Sequence, residues 1–431
     1  MLNIEDFSYP KGLHLLKRWQ SGCGEARDEL KRLIDDCIAG DFDPYLGAPT
    51  PIGEIHSTAS VHMLGLSILY DLYEIKSVDY YNTDPWRYVR TNLAVCRLLG
   101  VNKMYVTWAL YALTCEALGQ VMMYPDRFPP GSEPEAPLIN KDNWRTLQTP
   151  DFSSGVPKVI DEILRVTEII TGLPPLLQIS APYSLAADIY GQEPLLADVV
   201  HDPDNVNALL DHLADQVLGP WMDHHIETFP NGWIELSDAS GSPFFIGGEN
   251  CMNMSIRSIQ HMVRDRSYAG RVFDNNYRGD YVSQATKKAR GSRRKKANGV
   301  TAEGVGLLGL TEAKVSVCPR FVMRLEADKV DVSFYADQAI KRNMPLTCGV
   351  GSPQIDRNSI GDLEAAKLEI ATYAKENVAA LKQVCETIDM PPDNFVSEPW
   401  PSHIYFEDVN SQSQFELMEI ILDEVKKAGT F

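Results

Sequence analysis

Apolar positions recur at helical spacing through the first hundred residues and then fall into short runs separated by long helical stretches. Residues 25–38 carry Leu30, Leu33 and Ile34 between charges, the one-sided stripe of an amphipathic helix. Thr83-Asp84-Pro85 starts another helix, a capping side chain followed by a proline whose fixed φ suits the first turn. That helix runs over 86–99 and stops at Gly100. Beyond it, residues 104–108, 176–180, 233–237, 314–318, 330–334, 346–350 and 395–398 read as strands. A helix ending at Gly119 follows the first; helices at 158–171 and 205–228 precede the second and third. Helical stretches at 337–342, 360–388 and 414–427 follow the last three strands. An eighth strand is expected near 49–56.

Strand and helix alternating over this length predict a parallel sheet. The strand count favours a closed barrel over an open doubly wound sheet. The expected fold is therefore α/β: a (β/α)8 TIM barrel over 101–431, with an N-terminal helical extension over 1–100. In such barrels the chemistry sits on loops that follow the strands. This directs attention to Thr107 and Trp108, Ser180 to Tyr183, Ser237 and Asp238, Cys318, Tyr335 and Asp337, Cys348 and Gly349, and Glu398 to His403.

Composition narrows the function class. The 431 residues carry 40 Lys+Arg against 59 Asp+Glu, a formal net charge of -19, which argues against general binding of nucleic acid. No apolar run approaches the ~18–20 residues of a membrane span, and the first residues lack the design of a signal peptide. The eight cysteines are scattered with no C-x-x-C pair, so they are expected to be reduced thiols in a cytoplasmic protein, mostly small core residues. Residues 281–300 stand apart, with seven Lys/Arg and no acid. They read as a solvated insertion loop on the barrel rim, or as a docking arm for an acidic or phosphate-bearing partner. Residues 304–309 match G-x-G-x-x-G by letter. With a strand expected at 314, no room is left for the helix that a dinucleotide site requires.

From Leu176 the chain reads LLQISAPYSLAADIYGQEPLLADVVHDPDNVNALLDHLADQV, which resembles the uroporphyrinogen decarboxylase superfamily. Ala181-Pro182-Tyr183-Ser184-Leu185-Ala186 stands where that family has a Gly-x-Pro-aromatic turn, and Asp202-Pro203-Asp204-Asn205-Val206 where it starts a helix. Weaker likenesses run from Cys115-Glu116 to Ser402-His403-Ile404-Tyr405, and the whole covers about 104–425. The resemblance implies one of two activities. One arm of the superfamily decarboxylates a porphyrinogen without a cofactor; the other moves methyl groups to or from a corrinoid, often with zinc activating a thiol.

The decarboxylase arm has an Arg-Gln-Ala-Gly-Arg signature, whose guanidinium forks suit substrate carboxylates; the corresponding DFDPYLGAPTPIGE lacks it. The early-strand Asp is also missing, since Thr107-Trp108-Ala109-Leu110 offers no acid. The methyltransferase arm fits better. Its zinc-binding His-x-Cys is Ser316-Val317-Cys318 here, so an incomplete zinc set would combine Cys318, Cys348 and Glu398. The resemblance thus implies a cobalamin-dependent methyltransferase acting on a methyl ether or thiol, with Asp238, His403, Ser237 and Tyr183 as catalytic candidates. Trp108, Tyr335 and Gly349 are candidates for contact with the flat cobamide. Partners would be a small-molecule substrate and a small corrinoid protein, the chain acting as monomer or homodimer. Bland readings stand beside these: buried structural thiols for Cys318 and Cys348, rim packing for Tyr183, a helix cap for Asp238, a structural ion pair for Glu116, and a satisfied structural imidazole for His403. A lyase, a non-catalytic corrinoid or tetrapyrrole carrier, and a scaffold using only the basic loop are the alternatives.

Overall fold

The computed structural model describes residues 7–40, 55–82, 84–101, 110–274, 306–324, 330–389 and 403–428. The expected strands at 104–108 and 395–398, the basic segment 281–300, Trp108 and Glu398 lie outside the described residues.

Among the described residues seven parallel strands build the barrel wall in two arcs. Strands β1 (His56–Ala59), β7 (His403–Phe406), β6 (Leu346–Val350) and β5 (Val322–Arg324) form one arc in that order, and β2 (Leu176–Ser180), β3 (Trp233–Ser237) and β4 (Val272–Asp274) the other. The order along the chain is the order around the wall, as a (β/α)8 barrel requires. The arcs meet where Phe273 of β4 lies edge-on to Phe321, just before β5, with centroids 5.5 Å apart. The expected eighth strand near 49–56 is β1, at the end of that range.

Partners in a parallel ladder share a face, so the register sorts each strand. Leu176, Gln178 and Ser180 pair with Trp233, Glu235 and Ser237 on the inner face. Thr347 and Gly349 pair with His403 and Tyr405, which pair with His56 and Thr58. Leu176, Trp233, Phe273, Cys318, Phe321 and Met323 form a separate apolar cluster. Leu176 and Trp233 open their strands and Phe321 just precedes β5, so this cluster floors the barrel at its amino-terminal end. The outer faces (Leu177, Ile179, Ile234, Leu236, Leu346, Val350, Ile404) join the main core beneath the helices. Both faces are covered, which explains why these strands read as apolar runs rather than alternating ones.

Helices α1 (Lys11–Gln20) and α2 (Gly24–Ala39) form the N-terminal extension. They pack against α4 (Pro85–Leu99), which follows α3 (His62–Tyr73). At Gly12 the backbones nearly touch, since a Cβ there would lie 2.7 Å from the Cα of Leu98. The Asp84 side chain caps α4 by accepting from the Arg87 N–H at 3.1 Å, with Pro85 in the first turn, and Gly100 ends it with φ 77°. Among the described residues no helix is long and apolar enough to cross a membrane.

Four expectations are corrected. Residues 314–317 belong not to a strand but to helix α10 (Leu307–Val317), which Cys318 ends. Its buried residues Leu307, Leu310, Thr311, Lys314 and Val315 follow a helical period that begins in the glycine-rich stretch. A helix therefore does follow Gly306, contrary to the expectation for 304–309, and Gly309 lies inside it. Residues 330–334 enter α11 (Val332–Arg342), because the Asp331 side chain caps the backbone N–H of Ser333 at 2.9 Å. The strand of this unit is β5. His403 opens β7 instead of following a strand, so its backbone stands at the amino-terminal entrance of the barrel.

Candidate functional site

Strands β2 and β3 end side by side with Ser180 opposite Ser237. After Ser180 the chain turns through extended Ala181 into α7 (Pro182–Tyr190), with Pro182 in the first turn. After Ser237 it places Asp238 beneath the start of α7. One oxygen of Asp238 accepts from the Ser184 N–H at 3.1 Å and from the Ser184 hydroxyl at 2.9 Å. The other accepts from the hydroxyl of Ser255, in the π-turn Cys251–Ile256 beyond helix α8 (Pro243–Asn250). The Ser184 hydroxyl accepts in turn from the Ser240 N–H at 3.1 Å. Gly241 packs so close that a Cβ there would collide with the carboxylate. Asp238 therefore caps α7 from a neighbouring strand, where negative charge also complements the helix dipole. The sequence offered it as a proton donor or as a cap for the next helix. It caps the preceding one, and its engaged oxygens make it a positioning residue.

Tyr183 stands on the turn that Asp238 holds. It is fully buried, and its hydroxyl has no hydrogen-bond partner among the described residues. Burial, then the charge of Asp238, push the phenol well above its usual pKa. It stays protonated at any working pH and is a neutral donor. The Ser180 hydroxyl is likewise buried without a partner, while Ser237 is half-buried.

Further along α7, Asp188 accepts from the Cys115 thiol of α5 (Leu110–Ala117) at 3.9 Å. Burial raises its pKa to about 7, with the Cys115 contact opposing. A carboxyl raised in the folded state contributes stability below its unfolded pKa and loses it as pH climbs through the folded value. Asp188→Asn is therefore expected to match the wild type near pH 4 and to exceed it at pH 8 by on the order of 2 kcal/mol. Urea melts at the two pH values check this; equal stability at both would place Asp188 in contact with water.

The thiols do not assemble. Cys318 lies in the barrel floor and donates to the Phe321 carbonyl at 3.7 Å. Cys348 pairs with Ile404 and Arg324 on the outer face of β6, and burial pushes its thiol up to about 12. The two thiols of the expected zinc set thus occupy opposite sides of the wall and cannot share an ion. Among the described residues no group of three His, Cys, Asp or Glu could hold a metal. Cys23, by contrast, is half-buried at the start of α2. The Ala26 N–H, then Arg18 at 3.6 Å, lower its pKa. Alkylation by iodoacetamide at pH 8 is expected to modify Cys23 well before Cys318 and Cys348, as read by peptide mass mapping. Faster labelling of Cys348 would contradict its outward, covered position.

The other candidates fall as follows. Tyr335 is buried in the first turn of α11, edge-on to Phe334, in the outer packing rather than at a strand end. Gly349 is on the inner face of β6, and its carbonyl accepts from the Tyr373 hydroxyl at 2.6 Å. Glu116 accepts from the Tyr124 hydroxyl. Tyr183, Ser237, Cys318, Cys348 and His403, all expected past strand ends, do not gather around one opening. Tyr183 and Ser237 are at the carboxyl end, Cys318 and the backbone of His403 at the amino end, and Cys348 faces outward.

Sequence reasoning missed three residues at the carboxyl end. His62 opens α3 just after β1, its Nδ1 2.7 Å from the Tyr81 hydroxyl, and burial lowers it to about 3, so it is a neutral imidazole. Glu407 and Asp408 follow β7 directly. All three would have been found had β1 and β7 been placed correctly, since a residue just past a barrel strand is a candidate by position alone.

Residues 71–219 match the sequence profile of the family Uroporphyrinogen decarboxylase. No curated protein matches the chain. Among solved structures the chain is similar to a methyltransferase from Methanosarcina mazei, with a TM-score of 0.58 and 14% identity over 92% of this chain and 98% of that one.

Proposed function

We propose that this chain, a member of the uroporphyrinogen decarboxylase superfamily, transfers a methyl group between a small substrate and a cobamide, free or carried by a small corrinoid protein. One observation carries the choice over decarboxylation: among the described residues the inner face of the barrel bears no Lys or Arg, and it does bear Glu235. A polycarboxylate substrate needs guanidinium or ammonium partners. The one arginine on a described strand, Arg324, is on the outer face and donates to Asn377 at 3.0 Å.

The carboxyl end suits a flat macrocycle. Phe244 and Phe245 open α8 just past the Asp238 turn, 43% and 45% exposed and edge-on to each other. Two exposed aromatics beside a barrel mouth offer a face for a corrin ring. A bound cobamide supplies the metal centre that accepts or donates the methyl group. The protein's part is placement: Asp238 fixes the start of α7, and Tyr183 presents a neutral donor that orients the substrate. Cys318 and Cys348, on opposite sides of the wall, would not hold one zinc ion together.

The test is anaerobic incubation with cob(I)alamin and candidate methyl donors, followed by visible spectroscopy. Conversion of the cob(I)alamin spectrum with at least one donor supports the reading. No conversion with any donor, together with carbon dioxide release from a carboxylated pyrrole, would overturn it in favour of a lyase.

A further inference from the structure

Above its apolar floor the barrel interior is polar and acidic. Tyr405 lies on the inner face of β7, in register with Thr58 and Gly349. It packs against the apolar floor and keeps partial exposure above it. Glu235, from β3 on the other arc, acts on its phenol together with Asp408 and Glu407. On the same inner face Thr58, Ser180 and Thr347 are each 1% exposed or less, and their hydroxyls have no hydrogen-bond partner among the described residues. Buried hydroxyls left so are costly, a deficit that a polar ligand removes.

We propose that the methyl-bearing substrate is a small methylated ammonium ion with a polar tail. Its cationic head lies against Tyr405 among Glu235, Glu407 and Asp408, and its tail points toward the hydroxyls of Thr58, Ser180 and Thr347. This rests on the methyl-transfer reading and narrows its donor. An aromatic face amid carboxylates attracts a quaternary nitrogen and repels an anion. The chemistry agrees. A methyl ether needs a proton for its leaving oxygen, and the phenols of Tyr183 and Tyr405 are both held above their usual pKa, first by burial and then by nearby carboxylates. An ammonium donor needs none. The C–N bond breaks with its pair left on nitrogen, a neutral amine departs, and the methyl group is taken by the electron pair of a reduced cobamide.

Calorimetric titration of the full chain without corrinoid tests the proposal. The ligands are choline, its uncharged isostere 3,3-dimethylbutan-1-ol and the anion 3,3-dimethylbutanoate. Choline is expected to bind at least about tenfold tighter than the alcohol, and the anion not at all. Glu235→Gln is expected to weaken choline about tenfold and leave the alcohol unchanged. Equal binding of choline and alcohol, or tightest binding of the anion, overturns the proposal from wild-type data alone, whether or not the variant folds. Choline binding without methyl transfer to cob(I)alamin keeps the ligand class and removes the methyl-transfer reading. Transfer from a methyl ether with no choline binding does the reverse.

Discussion

Asp238→Ala is expected to lower stability by about 3 kcal/mol and to abolish turnover. The carboxylate is fully buried and accepts from the Ser184 N–H, the Ser184 hydroxyl and the Ser255 hydroxyl. Alanine leaves three donors facing a void. The N-terminus of α7 also loses a side-chain cap, since Ala181 offers none. Because Tyr183 rides on that turn, activity is expected to fall even where the variant remains folded. Asp238→Asn tests the charge separately: it keeps the volume but turns an NH2 toward a donor, and should lose roughly half as much. Guanidinium denaturation monitored by tryptophan fluorescence gives the numbers. A loss under about 1 kcal/mol for the alanine variant would mean that the brace is dispensable.

Tyr183→Phe is expected to separate function from stability. The hydroxyl it removes is buried and makes no hydrogen bond among the described residues. Its loss should leave stability unchanged or raise it by up to about 1 kcal/mol. The rate of methyl transfer should fall by about 100-fold, the usual worth of a positioned donor. A residue that costs stability yet is needed for turnover is the mark of a functional site. Paired thermal melts and single-turnover rates decide it. An unchanged rate would return Tyr183 to rim packing, and a large loss of stability would mean that its hydroxyl has a structural partner.

The periodicity of the chain located β2, β3 and β6 to the residue, because each is covered on both faces and shows as an apolar run between turn signals. It failed where a local device outweighs alternation. Asp331 caps a helix over residues that alternate like a strand, and α10 takes its register from glycine-flanked leucines upstream. The candidate site was legible in part for the same reason. Ser180, Tyr183, Ser237 and Asp238 follow strands that were correctly placed, whereas Cys318 and His403 were assigned to the mouth through misplaced ones.

What the sequence determined by itself is what depends on neighbours along the chain: strand and helix in alternation, the caps Asp84-Pro85 and Asp202-Pro203, and the acidic balance of its charges. What only the tertiary structure decided is which way each side chain faces and at which end of the barrel it lies. Cys348 points outward because its register pairs it with Ile404, and a shift of one residue would have turned it inward. Asp238 caps a helix that precedes it by 48 residues or more in sequence, through Ser184 and a turn at Ser255 that no local pattern announces. Such pairings follow from closing the sheet on itself, and closure is a property of all its strands together.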